Sequence, residues 1–286
     1  VRGAGVDAEL CPSSTGAEGS NNQNAYGYLS AFTSDGFTVT VGSSDNAYWN
    51  NSSATYVAWC WKESATAGFD IVSWSGTGSA KTESHSLSAV PHFMLSKNRA
   101  DSTNWAVYHH KNTSAPETEI FYLNLTNATA DDNAFWNDTA PTSSVFSVGA
   151  DNGANGSSDA MITYLFSEKQ GFSKFGSFSA NNNADGPFIY TGFRPAWLGM
   201  KRTDSTENWY QNDNKRDPFN PVDGKLLLLN KSDAEISTSY PVDFLANGFK
   251  IRGANNITNA SGGSYVYMAF AEAPFVNSNG VPGNAR

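Results

Sequence analysis

The sequence predicts an all-β chain built from tandem β-sandwich units. Three observations lead to this prediction: the composition, an alternation of side chains with period two, and an internal repeat. Aromatic residues make up 13 % of the 286 residues and charged residues only 16 %, while Asn, Ser, Thr and Gly are abundant. Helices favour Ala, Leu, Glu and Lys, whereas strands joined by polar turns favour aromatic and short polar residues. The composition therefore favours many short strands.

The internal repeat has a step of about 104 residues. Three segments share one pattern, in which a short strand, a polar loop and a longer apolar strand end in a glutamate. These glutamates are Glu63, Glu168 and Glu272, at intervals of 105 and 104 residues. Further elements recur at a shift of 104 residues: Ile71-Val-Ser-Trp-Ser75 with Phe175-Gly-Ser-Phe-Ser179, and Pro91-His-Phe-Met-Leu-Ser-Lys97 with Pro195-Ala-Trp-Leu-Gly-Met-Lys201.

The repeat divides the chain into a partial first unit (residues 1–67), a second unit (68–171) and a third unit with a C-terminal tail (172–286). A unit of this length matches one small sandwich of immunoglobulin size. The alternative is that two units merge into a larger, concanavalin-like jelly roll, and the sequence leaves both open. The first unit matches only the rear two-thirds of the pattern. We therefore expect its front third to come from an earlier part of a longer chain or from another segment.

The apolar segment of residues 56–61 in the first unit is predicted to be a strand. Its side chains alternate between two sets that are both apolar: Val57, Trp59 and Trp61 on one face, and Tyr56, Ala58 and Cys60 on the other. A strand with two apolar faces is typical of a sheet that is covered on both sides. Cys60 is then expected to be a small buried hydrophobic residue. The sequence does not decide whether Cys60 forms a disulfide bridge with Cys11.

The charge pattern argues against several classes of partner. The net charge is −9, and the 18 Lys and Arg residues are scattered singly along the chain. Without a basic stripe to follow a phosphate backbone, no nucleic-acid partner is expected. No apolar run approaches the roughly 20 residues of a membrane-spanning helix, so no membrane insertion is expected.

No constellation of catalytic or metal-binding residues stands out, so the chain is predicted to be non-enzymatic, with no cofactor and no metal. His109 and His110 are adjacent, and neighbours on a strand point to opposite faces. The two histidines are therefore not expected to share a metal ion, and they are expected to lie at an exposed strand end. The repetition of Glu63, Glu168 and Glu272 at equivalent places favours a structural role, because an active site is usually asymmetric.

Three tryptophans are candidates for ligand binding. Trp105 and Trp209 recur in two units, each after a polar turn, and Trp136 begins a polar loop. Exposed aromatic faces can stack on the apolar C–H surface of sugar rings, and recurrence would suit multivalent binding. The same rings would serve equally well as packing anchors in a core, and the sequence leaves that alternative open.

Several long motifs resemble a repeat family found in tail-fibre and other appendage proteins of tailed bacteriophages, especially marine ones. The resembling motifs include Tyr56-Val-Ala-Trp-Cys-Trp-Lys62, Trp136-Asn-Asp-Thr-Ala-Pro-Thr-Ser-Ser-Val-Phe-Ser-Val-Gly149, Asp185-Gly-Pro-Phe-Ile-Tyr-Thr-Gly-Phe-Arg-Pro195 and Tyr265-Val-Tyr-Met-Ala-Phe-Ala-Glu-Ala-Pro274. The resemblance covers nearly the whole chain. It implies a β-sandwich region exposed on the virion, part of an oligomeric fibre for which a trimer is expected.

The resemblance leads to a functional expectation. The chain would be a structural protein of the phage particle surface, made in the host cytoplasm. It would attach non-covalently to a host-surface glycan or receptor, with other virion proteins and copies of itself as partners. A capsid-decorating or cement protein is the alternative, and a polysaccharide depolymerase is a further one. No catalytic residues carry over from the family.

Overall fold

The computed structural model describes residues 8–45, 48–237 and 240–272. It contains 7 % helix and 34 % strand, and its sheets are antiparallel, which confirms the predicted all-β class. In the described ranges, no helix has the length and apolar character needed to cross a membrane. The overall architecture is β-sandwich-like, with small sheets packed against larger ones.

The elements follow one another along the chain in three groups. The first group comprises α1 (Gln23–Tyr26), β1 (Tyr28–Phe32) and β2 (Phe37–Thr40). The second comprises β3 (Phe69–Ser75), β4 (Lys81–Ser84), β5 (Phe93–Asn98), β6 (Ala106–His109), a 3-10 turn (Pro116–Thr118), β7 (Glu119–Tyr122), β8 (Ala130–Asp131), α2 (Asn133–Trp136), β9 (Val145–Val148), α3 (Asn152–Asn155) and β10 (Ala160–Phe166). The third comprises β11 (Ser173–Ser179), β12 (Phe188–Tyr190), β13 (Trp197–Arg202), β14 (Tyr210–Asp213), β15 (Leu227–Leu228), β16 (Val242–Leu245), β17 (Gly248–Ile251), α4 (Asn256–Asn259) and β18 (Ser264–Phe270).

The second and third groups each form one large and one small sheet. The large sheets have the strand orders β3-β10-β5-β6-β7-β8 and β11-β18-β13-β14-β15, and the small sheets have the orders β4-β9 and β12-β17-β16. Strands β3, β5, β6 and β10 begin at residues 69, 93, 106 and 160, and β11, β13, β14 and β18 begin 104 residues later, at 173, 197, 210 and 264. Corresponding strands therefore take corresponding places in the two large sheets.

In the part of the chain that the structure describes, three large hydrophobic cores lie between these sheets. One core lies between β4-β9 and its large sheet, and includes Met94 and Phe146. A second lies between β12-β17-β16 and its large sheet, and includes Leu198 and Phe249. The third, which we call the central core, lies between the two large sheets. Each large sheet is thus covered on both faces, which explains why its central strands are apolar on both sides.

The central core brings corresponding positions of all three predicted units together. The rings of Trp61, Phe166 and Phe270, spaced 105 and 104 residues apart in sequence, form a nearly equilateral triangle. Their centroids are 6.5 Å (Trp61–Phe166), 5.6 Å (Trp61–Phe270) and 5.8 Å (Phe166–Phe270) apart. The predicted units therefore share this central core, in addition to the separate cores that the second and third units have beneath their small sheets, and the domain boundaries at 67 and 171 stay a prediction.

The prediction of a strand at residues 56–61 is wrong. This segment belongs to no sheet, and only one of its faces packs, with Trp59 and Trp61 half-buried and Cys60 exposed. The corresponding strands β10 and β18 each lie between two neighbours, and residues 8–45 and 48–55 supply no such pair of neighbours for this segment. Cys60 is therefore not the buried residue that was expected, and Cys60 and Cys11 are both free thiols.

Candidate functional site

The repeated tryptophans Trp105 and Trp209 lie in the interior, with 3 % and 1 % of their surfaces exposed. The indole nitrogen of Trp105 donates to the carbonyl of Cys11 at 3.0 Å, and that of Trp209 to the carbonyl of Tyr122 at 2.9 Å. Each ring therefore reaches from its own unit to the preceding one. Neither ring presents a face to solvent, so the structure contradicts a sugar-stacking role for both.

Trp136 is also buried, at 1 % exposure. It ends the short helix α2 and packs edge-to-face on Tyr108, with ring centroids 6.0 Å apart. The predicted binding role of Trp136 is therefore wrong as well. All three tryptophans act as packing anchors, the alternative that the sequence left open. Composition and turn chemistry gave no measure of their burial.

Three of the four histidines, His92, His109 and His110, form a cluster between the second and third groups of strands. His109 is 1 % exposed and hydrogen-bonds through Nε2 to the carbonyl of Tyr267 at 3.1 Å, and His110 to that of Phe175 at 2.8 Å. The rings of His92 and His110 are 4.4 Å apart, and those of His109 and His110 are 5.6 Å apart. Strand β6 ends at His109, so the alternation of side chains does not continue to His110, and the two rings do not point to opposite faces. His109 is also buried, which makes the prediction of an exposed strand end wrong.

Burial sets the charge state of this cluster. It lowers the pKa of His92 to about 4 and that of His109 to about 3. Neutral imidazoles can bind metals, but no group of three or more His, Cys, Asp or Glu side chains in the described residues is arranged to hold an ion. The cluster instead joins β6 to the backbone of β11 and β18, a polar contact beside the central core.

The repeated glutamates have different surroundings. Glu168 accepts from the backbone nitrogen of Phe175 at 3.0 Å and from Lys174 Nζ at 2.9 Å. Glu272 forms an exposed ion pair with Lys215, and Glu63 is exposed. The three glutamates occupy equivalent positions in the repeat but do not make the same contact.

An exposed aromatic pair lies on the outer face of the three-stranded sheet, and sequence reasoning did not single it out. Tyr190 is 65 % exposed and Phe188 is 45 % exposed, while Ile189 between them is buried. This is the alternation of a strand with one face on a core. Tyr190 lies opposite Gly248, where an added Cβ would come within 2.1 Å of the carbonyl oxygen of Ile189. The close approach requires glycine at position 248. Because glycine has no side chain, no side chain from that position lies beside the ring of Tyr190.

Charged residues flank this aromatic pair. Phe188, Lys250 and Asp243 lie opposite one another across the three strands, which places their side chains on one face. Lys250 Nζ is 2.8 Å from Asp185 Oδ1, and the Nε of Arg252 donates to Asp243 Oδ2 at 2.5 Å. The hydrogen bond from Lys250 holds the pKa of the Asp185 carboxyl below its usual value.

We call the surface formed by Phe188, Tyr190, Asp185, Lys250 and Arg252 the outer aromatic face. Exposed rings can pack on apolar C–H groups, and the adjacent ammonium, guanidinium and carboxylate groups can exchange hydrogen bonds with hydroxyls. The face thus has the chemistry of a carbohydrate or polar peptide contact. Its sequence signal was the alternation Phe-Ile-Tyr after a Gly-Pro turn at residues 186–190.

The small sheet β4-β9 of the second group provides a comparison within the same chain. Its strand β4 presents Thr82 and Ser84 to solvent, and Lys81 pairs with Glu83 at 2.5 Å. Its partner β9 turns Phe146 and Val148 into the core. The exposed aromatic pair is therefore a feature of the three-stranded sheet and not of both small sheets.

The fold and this face define an all-β, sandwich-like chain with an exposed aromatic and charged surface. A family model, a domain of unknown function (DUF7483), matches residues 1–274, and the chain belongs to this family. No curated protein and no solved structure matches the chain.

Proposed function

We propose that this chain is a structural protein of a bacteriophage virion, an exposed fibre or appendage that attaches the particle non-covalently to a host-surface glycan or receptor. The observation that carries the proposal is the outer aromatic face. Large exposed aromatic side chains grouped on one sheet face are costly to leave in water and commonly mark a contact surface. Their flanking ion pairs provide donors and acceptors for a polyhydroxylated ligand.

The proposed appendage is a tandem array of jelly-roll-like sandwiches, one for each repeat. The common strand order of the two large sheets and the 104-residue offset of four strand starts support it. Such an array holds its small sheets at fixed spacing, which suits a rigid exposed part of a particle. Oligomerisation, with a trimer as the expected form, would bring several binding faces together and raise avidity.

The proposed activity is binding without catalysis. Glycoside hydrolysis usually needs two carboxyl groups across a cleft, one of them an acid and the other a base or nucleophile. Asp185 and Asp243 on the outer aromatic face both pair with cations, Lys250 and Arg252. The hydrogen bond from Lys250 lowers the pKa of the Asp185 carboxyl, which favours a role for Asp185 in hydrogen bonding over proton transfer.

The outer aromatic face can be tested by glycan-array binding with the purified chain. We expect a subset of bacterial surface polysaccharides to bind. Tyr190→Ala should weaken that binding about five- to thirtyfold, because loss of a stacking ring worth about 1–2 kcal/mol changes the dissociation constant by that factor. Thr82→Ala, on the exposed face of the other small sheet, is the matched control and should bind like the unaltered chain. Equal binding by the unaltered chain and Tyr190→Ala would exclude this face as the site.

The location on the particle can be tested by electron microscopy of intact virions. Copies that radiate from the tail or the head vertices with free tips are expected for an appendage. Copies that lie flat between capsomers would contradict the proposal and favour the capsid-decorating alternative. A reducing-end assay on the bound polysaccharide would separate binding from depolymerisation.

A further inference from the structure

The contacts between successive units repeat. Trp105 and Trp209 each donate an indole hydrogen bond to the preceding unit, to the carbonyls of Cys11 and Tyr122. A backbone hydrogen bond recurs beside each of them. The amide of Glu18 donates to the carbonyl of Arg99, and the amide of Thr129 donates to the carbonyl of Thr203, both at 2.9 Å. The front part of each unit thus contacts the rear part of the unit before it in the same way.

The aromatic triangle of Trp61, Phe166 and Phe270 indicates that this series turns through a ring of three. In a closed ring of three, the rear part of the third unit would receive the front part of the first. The described residues of the first unit contain no counterpart of β3, β5 or β6. At the place in the ring where the front part of the first unit would lie, residues 8–45, 48–237 and 240–272 therefore supply no strands.

Side chains that border this sector are exposed where their counterparts are buried. Phe37 of β2 is 39 % exposed, whereas the corresponding Phe146 of β9 and Phe249 of β17 are each 0 % exposed. In the second and third units, these phenylalanines are covered by the large sheet of the same unit. The small hairpin β1-β2 lacks such a cover within the described residues.

A cleft occupies the place where that large sheet would lie. Its volume is about 750 Å³, and its walls include Phe37 and Val39 of β2, Trp49, Val57 and, from the third unit, Ser232. Residues 57–62, of which Val57 and Ala58 line the cleft, belong to no strand, and no backbone hydrogen bond joins them to another described backbone group. The corresponding β10 and β18 are paired along both edges.

We propose that this cleft and the edge of residues 57–62 form a docking surface for a polypeptide that carries the front third of the same repeat and lies outside the 286 residues. Its strands would correspond to β3, β5 and β6. This occupant is inferred because it would extend to the first unit the series of contacts that already joins the first unit to the second and the second to the third. A second copy of the chain is not expected to fill the cleft, because its own β3, β5 and β6 are already hydrogen-bonded to neighbours in its own large sheet.

The repeat also fixes the register of the occupant. Phe93 of β5 pairs with Phe166, and Trp197 of β13 pairs with Phe270. The aromatic residue at this position of the occupant would therefore pair with Trp61. The occupant would cover Phe37 in the wall of the cleft, and Phe37 would then be buried like Phe146.

The test uses two synthetic peptides as probes, with the sequences of residues 91–109 and 195–213 of this chain, which form the β5–β6 and β13–β14 hairpins. Fluorescence anisotropy against the full chain should show saturable binding by at least one of them, and the melting temperature should rise. A peptide of residues 91–109 with Phe93→Asp is the matched control and should bind at least tenfold more weakly, because a charge would be buried against Trp61.

Two variants of the chain locate the binding. Phe37→Asp should weaken peptide binding at least tenfold, whereas Phe219→Asp, at a residue 79 % exposed elsewhere on the surface, should leave it unchanged. Phe37 is itself exposed, so the variant is expected to fold. Absence of saturable binding by both peptides would overturn the proposal. So would a dimer of the chain, detected by analytical ultracentrifugation, that Phe37→Asp abolishes, because the occupant would then be a second copy.

Discussion

Asn155 and Asn259, 104 residues apart, are both completely buried and make matching hydrogen bonds at the ends of α3 and α4. Each side-chain oxygen accepts from a backbone amide of the loop after the first strand of the large sheet, and each side-chain nitrogen donates to two backbone carbonyls. For Asn155 the partners are Thr77 N at 3.0 Å, Ser79 O at 2.7 Å and Gly149 O at 3.3 Å; for Asn259 they are Asn181 N at 2.9 Å, Asn183 O at 2.9 Å and Gly253 O at 2.8 Å.

Asn259→Ala is expected to lower the free energy of unfolding by about 2–4 kcal/mol, because it leaves several buried or partly buried backbone groups without partners. Asn155→Ala should have an effect of similar size. Urea denaturation followed by tryptophan fluorescence measures both. Asn127→Ala, at an exposed position, is the control and should change stability by less than about 0.5 kcal/mol. An equally small effect of Asn259→Ala would show that this network adds little.

Phe270→Ala should destabilise the chain by about 3–5 kcal/mol, since the ring packs on Trp61 and Phe166 in the central core and its loss leaves a cavity. Phe219→Ala removes a ring that is 79 % exposed and should be nearly neutral. Thermal unfolding of the two variants, recorded in parallel, provides the comparison. Similar melting temperatures would mean that the three units do not depend on their shared core.

Gly149→Ala should cost about 1–3 kcal/mol, because an added Cβ would lie 2.1 Å from the carbonyl oxygen of Ala134 and force the backbone apart. Gly42, at the corresponding position of the first unit, has the same 2.1 Å approach, to the carbonyl oxygen of Ala25. Gly224→Ala meets nothing closer than 3.5 Å and serves as the control in chemical denaturation. A tolerated Gly149→Ala would contradict the close packing of α2 against the end of β9.

Acid should destabilise the chain through its histidine cluster. The pKa of His109 is lowered by burial to about 3 in the folded state, against 6.5 for an unperturbed histidine. Between these values the unfolded chain binds more protons, so stability is full above pH 6.5 and is lost as the pH falls towards 3. His109 alone should account for about 3 kcal/mol between pH 7 and pH 4. His92, with a pKa of about 4, acts in the same direction.

The acid effect can be assigned by urea denaturation between pH 7 and pH 4. His109→Gln keeps a donor near the carbonyl of Tyr267 but removes the titrating ring, so its stability should fall less steeply with acid. His85→Gln, outside the cluster, should follow the unaltered chain. The same acid slope in the chain and in His109→Gln would refute the assignment to His109.

The strands that have both neighbours within the chain could be predicted from sequence. Alternating apolar side chains predicted strands in the second and third copies of the pattern, and β10 and β18 confirm them. The same alternation at residues 56–61 failed, because a strand needs a hydrogen-bonded partner and the pattern reports only side-chain polarity. The one-sided packing of Trp59 and Trp61 follows from that missing partner.

The candidate site was harder to predict, for a related reason. Trp105, Trp136 and Trp209 follow or begin polar turns, which suggested exposure. Trp105 and Trp209 instead contact the preceding unit, and Trp136 packs in the core of its own unit. The exposed Tyr190 has ordinary strand alternation, and its environment depends on Gly248, more than 50 residues later in the chain. Burial of an aromatic ring is decided by contacts between distant segments, and local sequence does not encode them.

The insertion of β10 between β3 and β5 has a consequence for biosynthesis. About 60 residues separate the end of β5 from the start of β10, and at 5–20 residues per second a ribosome needs about 3–12 s to add them. During that interval β3 and β5 have open edges that can pair with strands of neighbouring nascent chains. The yield of soluble protein should therefore depend on translation speed and temperature more than on the stability of the finished fold.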